Sequence, residues 1–232
     1  MSYLWQEFNI KTFPAETLVF RDGVFYEDLS EYENIKYDKN KNLISLKKTP
    51  KLPVHIIYIG EIAGNIDINI DINFENCRFF MDFKTFNKKP AFLNIFIKNA
   101  GKNSFFDGNI INKNKNIFKS RQIAQHCQEN TGIFIKNKIA GYKNSKTELS
   151  AEARIEKNCK DCDSNISFSV MADKNAMVEM KPMQYINSVP KSASHSASLY
   201  KPTKNQIQYL KMSGLSDKEI DNILENAFLE QE

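Results

Sequence analysis

Glycine and proline are sparse, eight and seven in a chain of 232 residues, and tryptophan occurs once. That scarcity excludes collagen-like and low-complexity chains. Cysteine is limited to Cys77, Cys127, Cys159 and Cys162, which are expected to be thiols rather than a disulfide frame. A basic leader followed by an apolar run is absent, and no apolar stretch approaches a membrane span, so the expected setting is soluble and cytoplasmic. Charge is nearly balanced, 32 basic against 28 acidic residues. The lysines are scattered and build no nucleic-acid footprint. Catalytic signatures are missing too. Gly101-Lys102 lacks the earlier glycine of a phosphate loop, and GxGxxG, GxSxG and HExxH are all absent. The serines around His195 have no recognisable acid partner for a hydrolytic triad. The chain is expected to bind no nucleotide and to be a non-catalytic protein.

What is present is apolar residue content of 41%, enough for a packed core, arranged mostly at strand spacing. Leu18 to Tyr26 forms two short apolar runs around Asp22-Gly23, a hairpin signal. Tyr37 to Asn42 is polar and reads as a loop. Val54 to Ile59 opens a strand-rich region. Ile66, Ile68, Ile70, Ile72 and Phe74 alternate with Asp67, Asn69, Asp71 and Asn73, a strand with one wet face. Further short apolar runs follow at 79–86, 92–97, 105–111 and 132–139. Ile166, Phe168 and Val170 alternate again, and 176–186 is strand-like. No amphipathic helix interrupts 52–190, so the core is all-β. The pattern alone does not separate a sandwich from a solenoid, and no rigid repeat period is visible.

The last third changes character. Thr203-x-x-Gln206 and Ser216-x-x-Glu219 have capping-box spacing, with Gly214 between them where a left-handed C′ residue is needed. Ile207 and Leu210 share a face of the first helix. Ile220, Ile223, Leu224, Ala227 and Phe228 form the stripe of an amphipathic second helix. The division expected is a lead-in segment 1–51, a β core 52–199 and a two-helix subdomain 200–232.

Residues able to carry chemistry are few. Cys159-Lys-Asp-Cys162 is a CxxC, a possible thiolate site for sulfur or iron. An ordinary reduced pair in a turn fits the spacing equally well. A thioredoxin-like reading lacks the helix that lowers the thiol pKa, and a zinc site lacks a second ligand pair. His126-Cys127 is an adjacent imidazole and thiol. His195 sits among Ala193, Ser194 and Ser196, small neighbours that permit close approach; its imidazole can ligate iron or be simply structural. Cys77 and His55 read as structural.

Several of these segments together resemble the SufB/SufD family, the scaffold proteins of the SUF iron–sulfur cluster assembly system. The resemblance is carried by Ser194-His195, by Asn205-Gln206-Ile207-Gln208-Tyr209-Leu210, by Ser213-Gly214-Leu215 and by Ala227-Phe228-Leu229, all in order. Leu18–Ser30, Leu52–Ile59 and Cys162-Asp163-Ser164 add to it, and a similar His-Cys occurs in SufD-like chains. The departures are Ser196 where glycine is usual, Ser194 and Ser196 where SufB-type chains have acidic residues, and Lys211-Met212 in the first helix. The resemblance implies a right-handed parallel β-helix with a small helical subdomain. It implies a scaffold that supports a transient, nascent iron–sulfur cluster, with Cys162, His195 and Cys159 as ligand candidates and His126 and Cys127 as weaker ones. It implies a SufC-like ABC ATPase partner docked through Ile207, Tyr209, Leu210, Gly214, Ile220, Ile223, Leu224 and Phe228. A homodimer or a SufB/SufD-like heterodimer, and a sulfur donor protein, complete the expected set. The alternatives are a cluster-free interaction protein derived from that scaffold and a thiol- or zinc-binding protein.

Overall fold

A computed structural model describes residues 13–230 apart from 27–29, 31, 143 and 174. The Leu29 part of the Leu29-Ser30 match therefore lies outside the described residues. The fold is a parallel β-solenoid with two short C-terminal helices. In chain order the strands are β1 (Glu16–Arg21), β2 (Val24–Phe25), β3 (Ile35–Asp38), β4 (Leu43–Leu46), β5 (Val54–Glu61), β6 (Gly64–Ile72), β7 (Arg78–Asn87) and β8 (Ala91–Asn99). They continue as β9 (Phe105–Asn114), β10 (Ile117–His126), β11 (Gly132–Gly141), β12 (Lys146–Ile155), β13 (Asp163–Ala172), β14 (Met177–Ile186) and β15 (Ser192–Tyr200). The helices are α1 (Lys204–Met212) and α2 (Asp217–Glu230).

From β4 onward successive strands alternate between two facing sheets. One has the order β15-β13-β11-β9-β7-β5-β1-β2 and the other β14-β12-β10-β8-β6-β4-β3. Apart from the hairpins β1–β2 and β3–β4, all pairing is parallel. The chain does have a repeat. Phe105 lies beside Arg78, Gly132 beside Phe105 and Ala91 beside Gly64, each a step of 27 residues. Later coils lengthen, so Asp163 lies 31 residues beyond its neighbour Gly132. Changing turn length is why no rigid period shows in the sequence.

Alternate side chains point into the slot between the sheets and are buried as one continuous core. Phe79, Phe83, Phe106, Phe118 and Phe168 are its largest members, filled in by the isoleucines of β6 and β8. The strands at 16–46 are hydrogen-bonded into this stack, since β1 pairs with β5 and β4 with β6. The loop expected at 37–42 is shorter than its polarity suggests. β3 runs to Asp38, and Asn42 turns the chain at φ +46°. The turns entering the first sheet repeat as well. Asn76, Asn103, Asn130 and Asp161 all adopt φ between +53° and +58°, a region that Asn and Asp tolerate best among residues with a Cβ. Asn130 donates to Asn103 Oδ1 at 2.6 Å and Asn103 to Asn76 Oδ1 at 3.3 Å, so the turns are stitched along the solenoid axis.

Both capping boxes form. Thr203 Oγ1 accepts from Gln206 N–H and the Gln206 side chain accepts from Thr203 N–H. Ser216 N–H donates to Glu219 Oε2 at 2.8 Å. Gly214, at φ +84°, separates the helices. α2 packs on β11 and covers Ala140, which points outward by strand alternation yet is fully buried.

Candidate functional site

The turns that lead into β7, β9, β11 and β13 bring one residue each to the same corner of the solenoid: Cys77, Ser104, Thr131 and Cys162. Small side chains fit there, and they are joined along the axis. Cys77 N–H donates to Ser104 Oγ at 2.9 Å, and Thr131 Oγ1 lies 3.3 Å from Cys162 Sγ. His126, the last residue of β10, faces this column and is fully buried. Its Nδ1 lies 2.8 Å from Thr131 Oγ1, while the Thr131 hydroxyl donates to the Gln128 carbonyl at 3.0 Å. With that hydroxyl hydrogen committed, His126 donates from Nδ1, and its Nε2 is buried without a partner among the described residues.

The CxxC occupies the longest of these turns, residues 156–162, where 73–77, 100–104 and 127–131 serve in the coils below. The extra length tucks Cys159 beneath the turn. Cys159 and Cys162 are buried together in a small cluster with Ile155, against Ala193 of β15. Cys159 Sγ donates to the His126 carbonyl at 3.2 Å and Cys162 Sγ to the Gln128 carbonyl at 3.3 Å. Burial, with the Cys162 sulfur adding to it, pushes the Cys159 thiol up to about 11. Burial also holds His126 down to about 4. At neutral pH the Cys159 sulfur is therefore a thiol and the His126 imidazole is uncharged. Cys127 is half-buried, its thiol pushed up by burial, and its sulfur is near enough to Cys159 to raise that thiol further. Cys77 is buried, and His55 is buried with its Nε2 2.9 Å from Asp82 Oδ2.

His195 lies on β15, directly beside the buried Ile166 of β13. By alternation it faces the interior slot, yet it is exposed because no further coil lies above it. The Cys162 carbonyl receives the N–H groups of Lys191 and Ser192 at 2.8 and 3.3 Å, so β15 starts on the CxxC turn itself. Four residues of strand separate Ile166 from Cys162, roughly 13 Å at 3.3 Å per residue. Within one chain, therefore, Cys162, Cys159 and His126 share a corner, while His195 stands one strand over and further along. Among the described residues no group of three or more His, Cys, Asp or Glu side chains is placed to hold a metal ion.

The final coil is open. Met177, Met183, Tyr185, Ile186, Val189 and Leu199 are all exposed. β14 and β15 end their sheets with unpaired edges among the described residues. No helix of the described residues is long and apolar enough to cross a membrane.

The helices divide their apolar residues between the solenoid and the surface. Ile220 and Leu229 are buried, Leu224 and Phe228 half-buried, and Phe228 stacks on Tyr200 at 6.1 Å. Glu225, also buried, pairs with Lys113 of β9 at 2.5 Å. Ile207 and Leu210 are half-buried, and Gly214 is exposed with open space around it. Tyr209, Met212 and Ile223 stand out, with Tyr209 70% and Met212 81% exposed. Thr131, Ser104 and Met212 carry no sequence signal of their own. Only the register of the coils, 27 residues from Cys77 to Ser104 and again to Thr131 and 31 from Thr131 to Cys162, aligns the first two with the cysteines.

The family comparison meets this arrangement. The model of the "SUF system FeS cluster assembly, SufBD core domain" matches residues 85–228, more than half of the chain. No curated protein matches it. The matched span runs from the end of β7 to near the end of α2. It takes in His126, the CxxC turn, the open coil and nearly all of both helices, so the chain belongs to the SufBD family, the scaffold-type domain of SUF iron–sulfur cluster assembly.

Proposed function

We propose that this chain is a scaffold subunit that supports a nascent iron–sulfur cluster where two open solenoid ends meet, and that it docks a SufC-like ABC ATPase through α1 and α2. The observation that carries this reading is the position of the CxxC turn directly under the unfinished coil. The strand edge that covers Cys162 is the edge left unpaired. Among the described residues, one chain supplies no group of three or more His, Cys, Asp or Glu side chains placed for a metal. A second SufB/SufD-like chain, identical or not, would bring His195 or its equivalent towards Cys162 from across the interface. The cluster is cargo here, and ATP hydrolysis belongs to the partner. Tyr209, Met212 and Ile223 are the exposed apolar side chains on the helix pair, the kind of surface a partner groove takes.

Anaerobic reconstitution with iron and inorganic sulfide, read by absorbance and Mössbauer spectra, tests the assembly site. Cys162→Ser and His195→Ala are expected to lose the cluster signal with little change in thermal stability, and Cys77→Ser to keep it. A signal that survives both substitutions would remove these residues from the site. Deleting residues 204–232 tests the docking. The truncated chain is expected to stay folded and to stop co-purifying with the ATPase; continued co-purification would place the docking elsewhere.

The burial of both thiols and of His126 favours a second reading, a cluster-free interaction protein that retains the ATPase site. It predicts no cluster signal in the parent chain and unchanged co-purification.

A further inference from the structure

We infer that Cys159 is a resolving thiol, which reduces a persulfide formed on Cys162 and releases its outer sulfur as sulfide. The inference rests on the assembly reading above and adds the source of two electrons to it. Sulfur carried on a thiol is sulfane sulfur, whereas cluster sulfur is sulfide, two electrons more reduced. A pair of neighbouring thiols holds those two electrons, because forming their disulfide releases them.

The structure supplies such a pair. Cys159 and Cys162 lie on one turn and are buried in one cluster. Each sulfur is held by a different carbonyl of the coil below, His126 at 3.2 Å and Gln128 at 3.3 Å. Cys77 lies with the main core, and Cys127, half-buried, is outside the cluster but near enough to Cys159 to help raise its pKa. The two sulfurs are not equivalent. Cys162 meets the Thr131 hydroxyl and begins the contact with the unpaired β15 edge through its carbonyl. Cys162 is thus the sulfur whose residue is tied to the start of the β15 edge, and Cys159 is its neighbour on the same turn.

The chemistry balances in two exchanges. A persulfide donor, RS–SH, transfers its outer sulfur to the Cys162 thiol, giving the Cys162 persulfide and RSH. The Cys159 thiol then attacks the Cys162 Sγ, its proton passes to the departing outer sulfur as the S–S bond to that sulfur breaks, and the products are the Cys159–Cys162 disulfide and hydrogen sulfide. The dithiol is oxidised and the sulfane sulfur is reduced. A dithiol reductant resets the pair.

The test uses the full chain with Cys77 and Cys127 both replaced by serine, fully reduced and anaerobic, with limiting glutathione persulfide as the donor. Sulfide release is measured above that of a Cys159→Ser/Cys162→Ser control, and the protein is analysed by peptide mass spectrometry. The expected result is one sulfide for each Cys159–Cys162 disulfide formed. Cys159→Ser should release none and retain one extra sulfur atom on Cys162. Release without that disulfide, or undiminished release by Cys159→Ser, overturns the proposal; the disulfide readout on the otherwise unaltered turn needs no variant at Cys159. Reconstitution separates this proposal from the assembly reading. Cys159→Ser should build the cluster from inorganic sulfide and fail with persulfide alone. Loss with both sulfur sources makes Cys159 a ligand and overturns the resolving role. A parent chain that builds nothing from inorganic sulfide, yet couples sulfide release to the disulfide, overturns the assembly site and supports the resolving thiol.

Discussion

His126 shows what burial does to one residue. Its imidazole is fully buried and held neutral, its pKa down from the ordinary 6.5 to about 4. As pH falls, the unfolded chain takes up this proton before the folded one does. The stability that depends on the neutral ring is complete above about pH 6.5 and is lost as pH falls towards 4. The size of the effect is on the order of 3 kcal/mol. Urea titrations of the parent chain and of His126→Asn between these limits check it. Asparagine is chosen because Asn99 already fills the equivalent position one coil below. The parent should lose more stability than the variant over this window; parallel losses would mean that His126 is not the titrating group. Where the sequence offered His126 as a candidate ligand, the structure shows an imidazole hydrogen-bonded at Nδ1 with an orphaned Nε2. Burial depends on the coils above and below, and no local spacing encodes it.

At the scale of elements, legibility followed which way the side chains pointed. β6 was readable because isoleucines face inward and Asp and Asn outward. β10 and β12 are equally regular strands that show no hydropathy alternation in the sequence. Their inward residues include Ser120, Gln122, Ala124 and His126 in β10 and Thr147, Ala151 and Ala153 in β12, so hydropathy does not alternate. The polar ones are tolerated because they are paired. Gln122 donates to Asn137 Oδ1 at 2.5 Å and to Ser120 Oγ at 2.9 Å, and Asn137 donates to the Ser167 carbonyl at 3.2 Å. A buried amide is tolerated with such partners, and apart from Ser120 they lie on other strands, Asn137 on β11 and Ser167 on β13. β15 hid for another reason: its small residues signal neither core nor loop.

The helices were legible from their caps, but their docking was not. α2 is fixed by the Lys113–Glu225 pair and the Tyr200–Phe228 stack, contacts between segments far apart in sequence. Lys113→Ala should strand a buried carboxylate and loosen α2 by about 1–3 kcal/mol, the cost of a broken buried pair reduced for the solvent that reaches Lys113. Limited proteolysis should then release the helical segment sooner than in the parent chain. Adding Glu225→Gln should restore part of the resistance, because the remaining amide carries no charge. Resistance equal to the parent in Lys113→Ala would show that the apolar contacts of Ile220 and Leu229 hold α2 unaided. Thr203→Ala removes a capping box at a cost of about 1 kcal/mol and should fray α1 with little effect on the solenoid, as residue-level amide exchange would report.

At the scale of the whole molecule the two flanks of the last coil differ from every coil below it. β14 and β15 expose apolar side chains and a row of unpaired backbone groups, the arrangement that invites strand pairing between chains. The chain is therefore expected to self-associate through this end when no other SufB/SufD-like chain is present. Ile186→Lys with Val189→Lys should shift sedimentation towards monomer while leaving the thermal transition nearly unchanged, since both residues are already exposed. A parent chain that sediments as a monomer at every concentration would count against the homodimer.

The sequence by itself determined the strand-rich core, the paired helices with their caps, and the family. Those follow from local alternation, capping chemistry and ordered motifs, all of which operate over a few residues or in linear order. Tertiary structure alone decided which residues share a corner. Cys162, Thr131 and His126 meet because turns of unequal length close coils of 27 to 31 residues in register. That register is set by parallel hydrogen bonding between distant strands and by the packing of inward side chains, which the order of residues along any one strand does not contain.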